Sequence, residues 1–239
     1  MNTPRQTGAG FQTTQWTLVA GAAADPAQLG PLLRAYWGPI YAYIRRSGRS
    51  REQAADLAQQ FIAEVVLERG LLDRADPERG RFRTLLKSSL RNFLVDQHRR
   101  ATAKGRSPDT PLLGGAALDR LEPSATDDPA AAFDRQWATT LLSRCLERLA
   151  ADCASSGQEG HWAAFRAAVI DPALGHDRAP GLDDLAKRVG AADAAQVSSM
   201  IQTVRRKFRR TLRDVVGATV AEPAWAEEEI ASLRAFLGA

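Results

Sequence analysis

Cysteine and histidine are scarce in this chain, and where they fall excludes more than how few they are. Only Cys145 and Cys153 are present, eight positions apart in a segment with helical periodicity, and His161 follows after another eight. A zinc site wants more closely spaced ligand pairs, so the two cysteines read as small buried residues and no metal site is expected. The remaining histidines are His98 and His176, and neither cysteine stands beside a charged activating motif. Gly114-Gly115 lies among prolines instead of between a strand and a helix, so no glycine loop is set to cradle a phosphate. An enzyme is therefore not expected, and neither is a cofactor. Long apolar runs are missing too: nothing approaches the roughly eighteen residues of a membrane span. The opening MNTPRQTGAG has no apolar core of a signal peptide. The expectation is a soluble, cytoplasmic protein without membrane insertion.

What is present is positive charge in two runs. The formal net charge is +4 and the pI is near 9.4, and the C-terminus is acidic, so the basic residues are more concentrated than the totals suggest. The first run spans Arg79 to Arg106 and carries nine lysines and arginines against one acid, Asp96. Its apolar residues Phe82, Leu85, Leu86, Leu90, Phe93 and Leu94 recur at helical spacing, which predicts a helix that buries one face and leaves Arg83, Lys87 and Arg91 outside. Such a basic amphipathic helix suits a phosphate backbone, an anionic membrane or an acidic partner, or is simply a solvated charged face.

The neighbouring segments predict an all-α chain of two small helical domains joined by a flexible linker. Residues 1–26 form an N-terminal segment whose Phe11 and Trp16 suggest docking on the first domain, with Thr13 or Thr14 capping a helix at Trp16. The first domain covers 27–100. Its opening helix, Ala27 to Arg46, has an apolar stripe that includes Leu32, Tyr36, Trp37 and Ile40, and contains Gly38-Pro39. Ser50 and Gln53 form a capping-box signal for the next helix, Arg51 to Glu68, with Ala54, Leu57, Phe61 and Val65 inward and Asp56, Gln59, Gln60 and Glu64 outward. Residues 101–134 are rich in proline and glycine and read as the linker.

The second domain covers 135–217, with helices at Phe133 to Ala151 and at Gly160 to Ile170. It ends in a short helix closed by Gly190, a turn, and a helix with Val197, Ile201, Val204, Phe208 and Leu212 in phase. This is a helix-turn-helix pattern, shared with generic helical hairpins. The second basic run, Arg205 to Arg213, falls at its end. Residues 218–239 add an amphipathic helix with an acidic head, which either docks on the surface or screens a basic face.

The order of these parts resembles a bacterial RNA polymerase sigma factor of the extracytoplasmic-function type. Asp56-Leu57-Ala58-Gln59-Gln60-Phe61 resembles the family's acidic helix, which docks on the clamp coiled coil of the polymerase. Phe82-Arg83, Arg91-Asn92, Asp96 and Arg99-Arg100 fall at the spacing of its promoter-melting helices. Phe11-x-Thr-Thr-x-Trp16, with Tyr36-Trp37-x-Pro39 and Tyr41-x-Tyr43-Ile44-Arg45-Arg46, further resembles a sigma-like subgroup seen in planctomycetes. The resemblance implies core RNA polymerase and promoter DNA as partners, with an anti-sigma factor or a kinase as possible regulators. It assigns polymerase contact to Asp56, Leu57, Gln59, Gln60 and Phe61. Asn92 would read an unstacked base while Arg83, Lys87, Arg91, Arg99 and Arg100 hold the backbone. In the second domain it assigns Gln196, Ser198, Ser199 and Gln202 to the major groove, with Arg205 and Arg206 beside them.

Four positions depart from the pattern. Gln53 and Ala55 stand where acids are usual, Leu85 where tryptophan is common, and Ser198 where a lysine or arginine is typical. The expectation is weaker affinity for polymerase, or dependence on something that restores negative charge. A phosphate on Ser50 would add roughly −1.5 to −2 charge beside that helix.

Overall fold

Helix α1, Leu29–Arg46, forms because Leu32, Tyr36, Ile40 and Ile44 recur every four residues and are all buried. Pro39 sits within it. The computed structural model describes residues 29–73, 75, 82–103, 128–175, 178–217 and 226–237, and all regular structure among them is helical. The N-terminal segment with Phe11, Thr13 and Trp16 lies outside these residues. So do Arg79, Arg81, His176 and residues 104–127 of the expected linker.

Helix α2, Arg51–Phe61, starts on the expected capping box. The Gln53 amide N–H donates to Ser50 Oγ at 3.2 Å, and the Ser50 N–H donates to Gln53 Oε1 at 3.1 Å. Two backbone donors that a helix start leaves over are thus satisfied reciprocally. The helix runs on as a wider π-helical stretch, Ile62–Glu68, which buries Ile62, Val65 and Val66. Helix α3, Phe82–Ala103, is the basic helix, and it buries Phe82, Leu86, Leu90, Phe93 and Leu94. Edge-on ring contacts stitch these elements: Tyr36 to Phe82 at 5.3 Å, and Phe61 to Phe93 at 5.5 Å.

Helix α4, Pro129–Ser155, corrects the linker boundary. Pro129 reads as a break by composition, yet it occupies the first helical position, where its missing N–H costs nothing. Asp128 caps it, accepting from the Ala130 N–H at 2.9 Å. The helix thus starts four residues before the expected Phe133, and Phe133 and Asp134 are buried.

Helix α5, Glu159–Phe165, continues through a π-helical turn, Arg166–Ile170, and a last turn at Asp171–Ala173. Helix α6, Leu182–Val189, ends at Gly190, whose φ of 71° places it in the left-handed region that only glycine enters cheaply. Helix α7, Ala194–Gly217, follows, and helix α8, Ala226–Leu237, closes the description.

The chain divides into two compact units, residues 1–140 with 217–239, and residues 141–216. The division falls inside α4, at Thr140 and Leu141. The first unit also includes the C-terminal helix α8, whose Glu229, Ile230 and Leu233 are buried. The second unit packs Leu149, Phe165, Leu185, Val197, Ile201 and Val204 into its own core. Cys153 belongs to that core, and Cys145 is also fully buried. Burial pushes the Cys145 thiol up to about 12, beyond any offset from nearby Arg148. No helix among the described residues is long and apolar enough to cross a membrane.

Candidate nucleic-acid interface

On α2 the residues expected to meet a partner separate by depth. Asp56 and Gln59 are exposed and Leu57 is half-buried. Gln60 donates from Nε2 to Glu64 Oε1 at 2.5 Å. Phe61 is wholly buried, in helical phase with Ala54, Ala58 and Val65 as their inward placement predicts, which corrects the polymerase contact that the resemblance assigns to it. Beside Gln59 lies an open apolar groove of about 370 Å³, lined by Leu33, Trp37, Ile62 and Leu67 among others. Trp37 was expected in the buried stripe of α1, yet it is 37% exposed. Tyr36 takes the inward position with Leu32 and Ile40, and an adjacent residue on a helix points about 100° away. That neighbour effect is the signal that could have placed Trp37 at the surface.

The six basic or polar residues assigned to α3 turn in three directions. Arg83 and Lys87 turn inward, contrary to expectation. Arg83 is only 7% exposed, with its guanidinium carbon 4.7 Å from the centre of the Trp137 ring. It meets Asp134 Oδ1 at 2.8 Å through Nη1, and Glu229 at 2.9 Å and 3.1 Å through Nε and Nη2. Lys87 Nζ takes the other Asp134 oxygen at 2.7 Å. The reason was invisible on α3 itself, because both carboxylates arrive from distant segments, α4 and α8. A buried guanidinium needs such partners to offset its lost hydration.

Arg91, Asn92 and Arg99 are exposed. Asn92 and Arg99 are seven residues apart, so they share a side of the helix about 10 Å along its axis. Arg91 also lies near buried Tyr43, whose hydroxyl burial pushes up, with Arg91 pulling the other way. Arg100 leans to a third side, where Nη1 is 3.6 Å from Glu64 Oε2; Arg69 approaches the same oxygen at 3.8 Å. Glu64 therefore ties the end of the basic helix to the stretch that continues α2.

In the second unit the turn before α7 is closed by its own side chains. The Gln196 N–H donates to Asp193 Oδ1 at 2.7 Å, and the Ala192 N–H donates to Gln196 Oε1 at 2.6 Å. Gln196, expected at the groove, is thus occupied as a helix-start residue, a role that the Asp-x-x-Gln spacing encodes. Ser198, Ser199, Gln202, Arg205 and Arg206 are all exposed. Ser198, Gln202, Arg205 and Arg209 fall on one helical row, neutral near the turn and cationic two turns on. Lys207 is the inward exception, donating to Asp152 Oδ2 at 2.7 Å. That hydrogen bond, opposed by burial and reinforced by the charges of Lys207, Arg210 and Arg148, holds the Asp152 carboxyl below the usual range.

No family model, no curated protein and no solved structure matches this chain. The geometry by itself offers two cationic helix faces, each with polar side chains that can hydrogen-bond a base edge. Among the described residues no cluster of histidine, cysteine or carboxylate side chains could hold a metal.

Proposed function

We propose that the chain is a sigma-like factor that binds core RNA polymerase, opens promoter DNA and directs transcription initiation in the cytoplasm, by binding and without catalysis. The observation that carries this reading is the exposed Arg91, Asn92 and Arg99 face of α3. An amide able to pair with a base edge, flanked by guanidinium groups that take phosphates, suits single-stranded nucleic acid. Asp56 and Gln59 on α2, beside the apolar groove, supply the polymerase-facing surface. The pair α6 and α7 acts as the helix-turn-helix, with Ser198, Ser199 and Gln202 reading duplex DNA and Arg205 and Arg206 holding its backbone.

Pull-down of core polymerase followed by run-off transcription tests the reading. Asn92→Ala is expected to lower transcription while polymerase binding persists, and Asp56→Arg to abolish polymerase binding first. Tight sequence-specific binding to duplex DNA in the absence of polymerase would support a stand-alone helix-turn-helix regulator instead. A second reading, a sigma-like protein that works only through protein contacts, gains support from the inward turn of Arg83 and Lys87, which removes two cations from the melting face. It is the better one if the protein binds polymerase yet gives no transcript from any promoter.

A further inference from the structure

Arg83, Lys87, Asp134 and Glu229 form a cluster with equal numbers of positive and negative charges, and α8 supplies one of the four. We propose that α8 is a releasable acidic strap: seated, its Glu229 withholds Arg83 from nucleic-acid phosphate, and single-stranded DNA binding on α3 and seating of α8 oppose each other. This rests on the proposed nucleic-acid role of α3 and adds its regulation.

Several features make α8 the movable member. It has 12 residues, too short to stay helical away from a packing surface. Among the residues of α8 whose side chains are described, Glu229, Ile230 and Leu233 are the buried ones, and Glu229 is the charged one. Release leaves Arg83 and Lys87 sharing Asp134, so the neutral cluster acquires one net positive charge next to the exposed face of α3. Phosphate and the Glu229 carboxylate compete for the same guanidinium edge, because both are anions that accept charge-assisted N–H bonds from arginine. By linkage, whatever factor strap closure removes from DNA affinity, DNA binding removes from strap closure.

The test uses the full chain and a single-stranded oligonucleotide. Amide hydrogen exchange across 226–237 is measured with and without the oligonucleotide, and binding is followed by fluorescence anisotropy across a salt series. For the unmodified protein, saturation with oligonucleotide is expected to speed exchange in α8 at least several-fold. Glu229→Gln, which keeps the shape and removes the charge, is expected to bind about fivefold tighter, with a salt slope steeper by roughly 0.7, the value of one added phosphate contact on a single strand. Glu229→Asp restores the charge and is expected to return toward the parent. If the parent binds the oligonucleotide while α8 exchange is unchanged and Glu229→Gln binds no tighter, the strap is overturned and the nucleic-acid reading stands. If neither the parent nor Glu229→Gln binds, the nucleic-acid reading fails and takes the strap with it. The exchange measurement on the unmodified chain decides the matter even if Glu229→Gln folds poorly.

Discussion

Helices α3 and α7 have similar inventories, each with a run of arginines and lysines on an amphipathic pattern, yet they spend that charge differently. In α3 the first two cations are drawn inward by Asp134 and Glu229, and Arg100 leans on Glu64. In α7 only Lys207 turns inward, to Asp152, and the other basic residues are exposed. A basic run is thus no measure of a basic surface. What decides is whether carboxylates from other segments reach it, and how deeply the pair is enclosed. Arg83 is nearly inaccessible, whereas the Asp152 side chain remains 44% exposed, so two ion pairs of similar length have unequal energetic weight.

The largest expected effect comes from breaking the enclosed pair. Arg83→Ala removes the guanidinium from buried Glu229, leaves Asp134 with Lys87 alone, and is expected to cost about 3–5 kcal/mol of stability in urea unfolding. A loss below about 1 kcal/mol would show that the α3 cluster is as solvated as its counterpart on α7, and the contrast would collapse. Next in size is the turn that positions α7. Gly190→Ala forces a side chain into the left-handed region and is expected to cost about 1–2 kcal/mol, read as a lower melting temperature.

The Lys207 and Asp152 pair should matter less, and its pH dependence gives the sign. The folded-state pKa of Asp152 is depressed, so its contribution is present above the ordinary aspartate value near 3.9 and is lost as pH falls through the lower folded value. Lys207→Met is expected to cost under about 1 kcal/mol at pH 7. The gap from the parent should shrink as the urea midpoint is followed below pH 4. A gap that widens in acid would refute the assignment. The smallest stability effect belongs to the outward cations: Arg205→Ala with Arg209→Ala should change stability by less than about 0.5 kcal/mol. The same double variant should flatten the salt dependence of duplex DNA binding by about 0.9 per lost phosphate contact. Unchanged salt dependence would remove α7 from the interface.

Much of the architecture was legible from periodicity and punctuation. The apolar spacing of α1, α2 and α3, the Ser50 and Gln53 box and the glycine after α6 are local signals, and local signals survive folding unchanged. Pro129 reads as a break because composition cannot tell a proline that interrupts a helix from one that begins it; the Asp128 cap distinguishes them. At the candidate site, the outward position of Asp56, Gln59, Arg91, Asn92 and Arg99 followed from helical phase. So did the exposure of Ser198, Ser199, Gln202, Arg205 and Arg206.

Phase assigns a side chain to a side of its own helix and is silent about what other segments place there. The inward position of Phe61 and the exposure of Trp37 both follow from neighbours on their own helices, although Trp37 was expected in the buried stripe. Arg83 is different in kind. Its partners Asp134 and Glu229 are 51 and 146 residues away along the chain. The amino-acid order alone therefore determined which helices form and which residues each presents on which side. Only the tertiary structure decided which of those charges meet solvent, because the desolvation and pairing of a charge depend on groups that folding brings together and that no local pattern records.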